Sequence, residues 1–260
     1  MELKTFGLDS SGCGLFASQN YKIGDVILKE KPLYIIGEPL NDEQSTEIMK
    51  LKNSINHELS GYLETNQITI NNKTAIFKII SRCNHCCLPN ARYFWNTIEN
   101  LEYLIVIREI KKEEEITVSY GNTYFMPYDK RKEHLANWKF VCLCDDCKNL
   151  NTEPDRQKLY DLDLLFQLYC SQGNVDSALN CSIKMLNVIL KSILKDDMLL
   201  SNVYYDIYQV LMNMNRFTTA NINLKKYLNS ISICETPKSQ NLIIKSKYLE
   251  NPQNYFIGRP

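Results

Sequence analysis

The chain has 260 residues, 44% of them hydrophobic and 23% charged, so it can bury a sizeable core and disorder does not dominate. Thirty Lys and Arg balance thirty Asp and Glu, which leaves no call for a nucleic-acid partner, and the longest aliphatic run, Leu104-Ile105-Val106-Ile107, is far short of the roughly 20 residues that span a bilayer. No apolar run follows Glu2, Lys4 and Asp9, so no secretory leader is expected, and the ten cysteines read as thiols or metal ligands of a reducing compartment.

In chain order, residues 14–17, 25–28, 103–108 and 116–120 are β-branched or aromatic runs of strand length, separated by turn signals such as Ile23-Gly24-Asp25. They predict a β-rich, mostly antiparallel domain of several small sheets. Between them Ile48, Leu51, Ile55 and Leu59 are spaced among good helix formers, which predicts a helical insert over about residues 41–75. From about residue 155 the pattern is helical, with a boundary near Asn149 to Pro154. Gly173-Asn174-Val175-Asp176-Ser177-Ala178 aligns with Asn215-Arg216-Phe217-Thr218-Thr219-Ala220 at an offset of 42, and Leu165, Leu168 and Leu186 meet Ile207, Val210 and Leu228. Two helical hairpins stacked like tetratricopeptide repeats give this pattern; an ordinary helical bundle is the alternative, because the period departs from the usual one. The helical pattern ends in the last ten residues, with Pro252, Gly258 and Pro260. The fold class is therefore α+β, a β-rich part to about residue 150 followed by a helical domain over 151–260.

The most specific feature is Phe140-Val141-Cys142-Leu143-Cys144-Asp145-Asp146-Cys147. Zinc takes four thiolate or imidazole ligands in a tetrahedron, and a tight turn presents three sulfurs to one ion only when they are this close. The fourth ligand has to come from elsewhere, and Cys83, His85, Cys86 and Cys87 are the candidates.

Asn84-His85-Cys86-Cys87-Leu88-Pro89-Asn90 resembles the Asn-His-Ser-Cys-x-Pro-Asn signature of SET-domain lysine methyltransferases. Glu114-Glu115-Ile116-Thr117-Val118-Ser119-Tyr120-Gly121 is similar to their Gly-Glu-Glu-(Ile/Leu)-x-x-x-Tyr segment, and Ser11-Gly12-Cys13-Gly14-Leu15-Phe16-Ala17 to their amino-terminal Gly-x-Gly-Leu-x-Ala strand. The cysteine turn matches the post-SET zinc segment. With a helical tail, the resemblance is closest to the SET-and-MYND-domain proteins, but with no cysteine between Cys13 and Cys83 the MYND finger is absent.

The resemblance implies a pseudoknotted SET domain over 1–121, a post-SET segment over 122–150, S-adenosylmethionine as methyl donor and structural zinc held by Cys87, Cys142, Cys144 and Cys147. Tyr120 is the implied catalytic tyrosine, and Tyr120 with Trp138 the implied substrate channel. Cofactor contacts implied by motif are the backbone at Gly12, Cys13 and Gly14, then Asn84, His85 and Tyr120, with Phe140 stacked on the adenine. The chemistry agrees: in-line methyl transfer needs an aligned, neutral lysine amine, and an aromatic channel lowers a lysine pKa by desolvation. The implied partner is a lysine-bearing histone or non-histone protein, without nucleic acid or membrane, met by a monomer in nucleus or cytoplasm. Three departures stand out: Cys86 replaces serine, Glu113 replaces glycine, and Trp138 stands where a second channel tyrosine is usual. They keep open a second reading, a SET and zinc scaffold that binds partner peptides.

Overall fold

A computed structural model of the chain describes residues 2–6, 12–53, 66–121, 123, 125–252 and 255. Two compact units result: one runs to Tyr120 and includes Leu135–Cys142, the other takes Gly121–His134 and the chain from Leu143 onward.

The first unit is built on three small sheets. Strands β1 (Glu2–Phe6), β2 (Gly12–Phe16), β7 (Asn84–His85) and β10 (Glu115–Val118) form a sheet in the order β1-β2-β10-β7. Strands β3 (Val26–Glu30), β8 (Ala91–Asn96) and β9 (Leu101–Val106) form a second with β9 central. The third contains β4 (Tyr34–Ile35), β5 (Ile68–Ile70) and β6 (Lys73–Ile76). All pairings are antiparallel except β10 with β7. The inward residues Leu15, Phe77, Ile80, Leu104, Ile116 and Val118 are 0% exposed and close one core. Each such apolar side chain contributes about 1.5–3 kcal/mol by leaving water.

The helical insert is shorter than its expected span. Helix α1 (Asp42–Asn53) lies within it and residues 54–65 fall outside the described ones, but residues 68–76 are the β5–β6 hairpin. Ile68-Thr69-Ile70 is a β-branched run, and Asn71, with φ of 52°, opens a two-residue turn before Lys73. Asparagine tolerates the left-handed region, so Asn71-Asn72 is a hairpin signal that outweighs the helical reading.

In the second unit, α2 (Tyr128–Leu135) and the short α3 (Asp145–Asn149) precede five longer helices: α4 (Glu153–Ser171), α5 (Val175–Lys191), α6 (Asp197–Asn213), α7 (Phe217–Cys234) and α8 (Gln240–Glu250). Helix α4 packs on α5 and α6 on α7, giving two hairpins. The 42-residue offset has a backbone basis: Gly173 (φ 67°) and Asn215 (φ 57°) both end the first helix of a hairpin in the left-handed conformation. Ala178 and Ala220, also 42 apart, are 1% and 0% exposed. The apolar equivalences are less even, since Leu165 and Leu168 are exposed while Ile207 and Val210 are buried. The expected end of the helical pattern after residue 250 falls mostly outside the described residues. No helix among the described residues is long and apolar enough to cross a membrane.

Candidate active site and metal centre

Strand β10 organises the site. On one side Glu115 and Ile116 pair with Phe16 and Leu15 of β2; on the other Thr117 and Val118 pair in parallel with Asn84 and His85. The Gly12-Cys13-Gly14 strand and the Asn84-His85 signature thus flank one strand, with Gly14 buried. Asn90 extends the parallel ladder: its Nδ2 donates to the Glu115 carbonyl at 2.8 Å and its Oδ1 accepts the Thr117 N–H at 2.8 Å. Asn84 Nδ2 donates to Glu115 Oε1 at 2.8 Å. Burial pushes the Glu115 carboxyl up, and the Asn84 bond works against that shift.

Just past β10, the Tyr120 ring gathers an aromatic cluster. Its centroid lies 5.5 Å from Trp138, 5.9 Å from Phe140 in an edge-on arrangement, and 5.4 Å from His85. The Tyr120 hydroxyl donates to the Cys83 carbonyl at 2.8 Å. Burial, with Cys83 and Glu115 adding to it, raises the phenol well above its ordinary value, so Tyr120 keeps its proton at physiological pH. His85 Nδ1 accepts the Tyr120 backbone N–H at 2.9 Å, which leaves the ring proton on Nε2, 3.3 Å from Cys87 Sγ.

The sulfurs of Cys87, Cys142, Cys144 and Cys147 all lie within 4.8 Å of one another, and Cys87 and Cys142 are 3.9 Å apart. Four thiolates at about 2.3 Å from one ion would stand about 3.8 Å apart, so the spacing suits a tetrahedral metal site. Cys86 and Cys83 lie outside the group. Past the end of β7, Cys87 is buried at a bend of the chain, whereas Cys86 beside it is partly exposed. This group can hold a metal ion.

The family model of the SET domain matches residues 12–121. Residues 12–121 are a SET domain. Around this SET domain, similarity to curated proteins extends unevenly. Histone-lysine N-methyltransferase set5 of Schizosaccharomyces pombe is 23% identical over 98% of this chain and 86% of its own length. Histone-lysine N-methyltransferase SET5 of Eremothecium gossypii is 42% identical, and ATXR2 of Arabidopsis thaliana, also a histone-lysine N-methyltransferase, 38%; each match takes 28% of this chain and only 14% and 16% of those proteins. A solved Plasmodium falciparum chain overlaps 46% of this one at 19% identity and a TM-score of 0.33.

Sequence reasoning missed two contributors to the SET site. In the sequence Asn90 is legible only as a signature residue, yet its side chain completes the β10 ladder. The Cys83 carbonyl, which receives the Tyr120 hydroxyl, belongs to a backbone group that no residue type advertises.

Proposed function

We propose that this chain is an S-adenosylmethionine-dependent protein-lysine N-methyltransferase, with Tyr120 as its catalytic tyrosine and zinc in the four-cysteine group. The observation that carries this reading is the Tyr120 phenol, kept protonated and aimed at the Cys83 carbonyl, inside a cluster with Trp138 and Phe140.

The residues present suit the donor. A sulfonium is a cation that aromatic faces attract, and the side-chain-free backbone at Gly12 and Gly14 permits close approach. When bound, S-adenosylmethionine supplies an electrophilic methyl group on sulfur. Everything else falls to the chain. Tyr120 has its proton committed to Cys83, so its oxygen lone pairs remain to orient the incoming amine. The rings of Tyr120 and Trp138 exclude water, which disfavours the ammonium form of a substrate lysine and promotes the nucleophilic amine. Asn84, His85 and Phe140 bind the donor beside this cluster. Zinc on Cys87, Cys142, Cys144 and Cys147 is structural, because four thiolates leave no open position.

The substrate is a lysine-bearing protein, histone or not, and the residence nuclear, cytoplasmic or both. The helical region is in keeping with a SET-and-MYND-like organisation, here without the finger. Calorimetry of S-adenosylmethionine binding, followed by transfer of labelled methyl to histones and cell-extract proteins, tests the reading. Binding and transfer in the wild type, with Tyr120→Phe binding but not transferring, is expected; absence of binding would favour the peptide-binding scaffold.

A further inference from the structure

Outside the site lies a cluster of buried charge in the second unit. Arg131, Arg156 and Asp146 have side chains 1%, 0% and 1% exposed. Asp146 Oδ2 accepts Arg156 Nη2 at 3.0 Å and Arg131 Nη2 at 3.4 Å, while its Oδ1 accepts the Thr152 hydroxyl. Thr152 Oγ1 in turn accepts Arg156 Nε at 2.8 Å. Further bonds hold the guanidiniums: Arg131 Nη1 donates to the Met126 carbonyl at 2.8 Å and to Glu153 Oε2 at 3.4 Å, and Arg156 Nη1 to the Thr123 carbonyl at 3.3 Å.

Burying two guanidiniums is expensive, and for stability alone apolar side chains of similar volume serve as well. Position supplies a reason for the expense. Asp146 sits between Cys144 and Cys147 on α3, whose first turn closes with the Cys147 and Lys148 N–H groups on the Cys144 carbonyl, both at 3.0 Å. A carboxylate locked by two arginines therefore locks the short turn that carries two of the four sulfurs. Charge points the same way. A divalent ion in four thiolates leaves a dianion, and the cluster holds two cations against one fully buried carboxylate, Glu153 being partly exposed.

We propose that Asp146, clamped by Arg131, Arg156 and Thr152, is a positioning residue that holds Cys144 and Cys147 ready for the metal and slows its release. This rests on the zinc reading above. The test is the rate at which zinc passes from the zinc-loaded full chain to a chromophoric chelator, with metal content and helical circular dichroism measured alongside. Expected are one zinc per chain in the wild type and release about tenfold or more faster in Asp146→Asn and Thr152→Val, at an assay temperature where the circular dichroism of each variant is still that of the folded wild type, although loss of a buried partner lowers their melting temperatures. Thr152→Ser, which keeps the hydroxyl, should release at the wild-type rate. A wild type that holds no zinc overturns the zinc reading and the clamp with it. A zinc-loaded wild type with Asp146→Asn and Thr152→Val releasing at its own rate overturns the clamp alone. Should Asp146→Asn fail to fold, the contrast between Thr152→Val and Thr152→Ser decides.

Discussion

His85 Nδ1 accepts the backbone N–H of Tyr120 at 2.9 Å. The same ring brings Nε2 to 3.3 Å from Cys87 Sγ, so one imidazole ties the end of β10 to the cysteine group. Outer-sphere histidines of this kind typically carry 10–100-fold in metal affinity or activity. His85→Ala is expected to lose methyl transfer by about that factor and to weaken zinc retention, read by kinetics and a chelator assay on the same preparation.

Tyr120→Phe removes the hydroxyl while keeping the ring among Trp138, Phe140 and His85. The expected result is a fall in kcat of about 100-fold or more with little change in S-adenosylmethionine affinity, since a precisely placed polar group acts mainly in the transition state. An equal loss of binding would mean that the phenol serves the donor rather than the transfer.

The four-sulfur group and its neighbours make opposite predictions. Cys87→Ser and Cys144→Ser should lower zinc content well below one per chain, because a hydroxyl is a poor ligand for this ion. Cys86→Ser and Cys83→Ser should keep it, as neither sulfur is in the group. Metal analysis of the four purified variants checks this.

Glu102 gives a pH dependence of known sign. It is 1% exposed in the central strand β9, its Oε2 has no hydrogen-bond partner among the described residues, and burial pushes its carboxyl up to about 8 from 4.5. Between those values the folded chain binds more protons than the unfolded one, so stability falls as pH rises through that window, by up to about 3 kcal/mol at pH 7. Urea midpoints at pH 5.5 and 7.5 should differ in that direction for the wild type, and Glu102→Gln should shrink the difference.

Glu113 has φ of 71°, in the left-handed region, with its N–H bonded to the Ala17 carbonyl at 2.8 Å. The cost of that conformation for a non-glycine residue is about 1–2 kcal/mol, and glycine loses part of the relief through its more flexible unfolded chain. Glu113→Gly is expected to be more stable by up to about 1 kcal/mol, seen as a melting temperature a few degrees higher.

Much of this protein is written locally. The turn at Gly24 (φ 87°), the strand runs that became β2, β3, β9 and β10, and the helices after residue 153 follow from backbone freedom and apolar periodicity, which act over a few residues. So does the cysteine turn, because three of its sulfurs are neighbours in the chain. Where local signals compete, as at Ile68 to Ile76, the β-branched run and the Asn71-Asn72 turn decide for a hairpin over a continuation of the helical stretch before it. Nothing local determined the rest. The parallel pairing of Asn84 and His85 with Thr117 and Val118, the choice of Cys87 over Cys86, and the Cys83 carbonyl beneath Tyr120 join residues about 30 or more positions apart. The clamp of Arg131 and Arg156 on Asp146 joins residues 15 and 10 apart, and two arginines and an aspartate that far apart in sequence look like solvated charges. Only closing the core and sharing one dry interior make them partners, since the energy of a charge depends on what surrounds it in space and not on its neighbours in the chain.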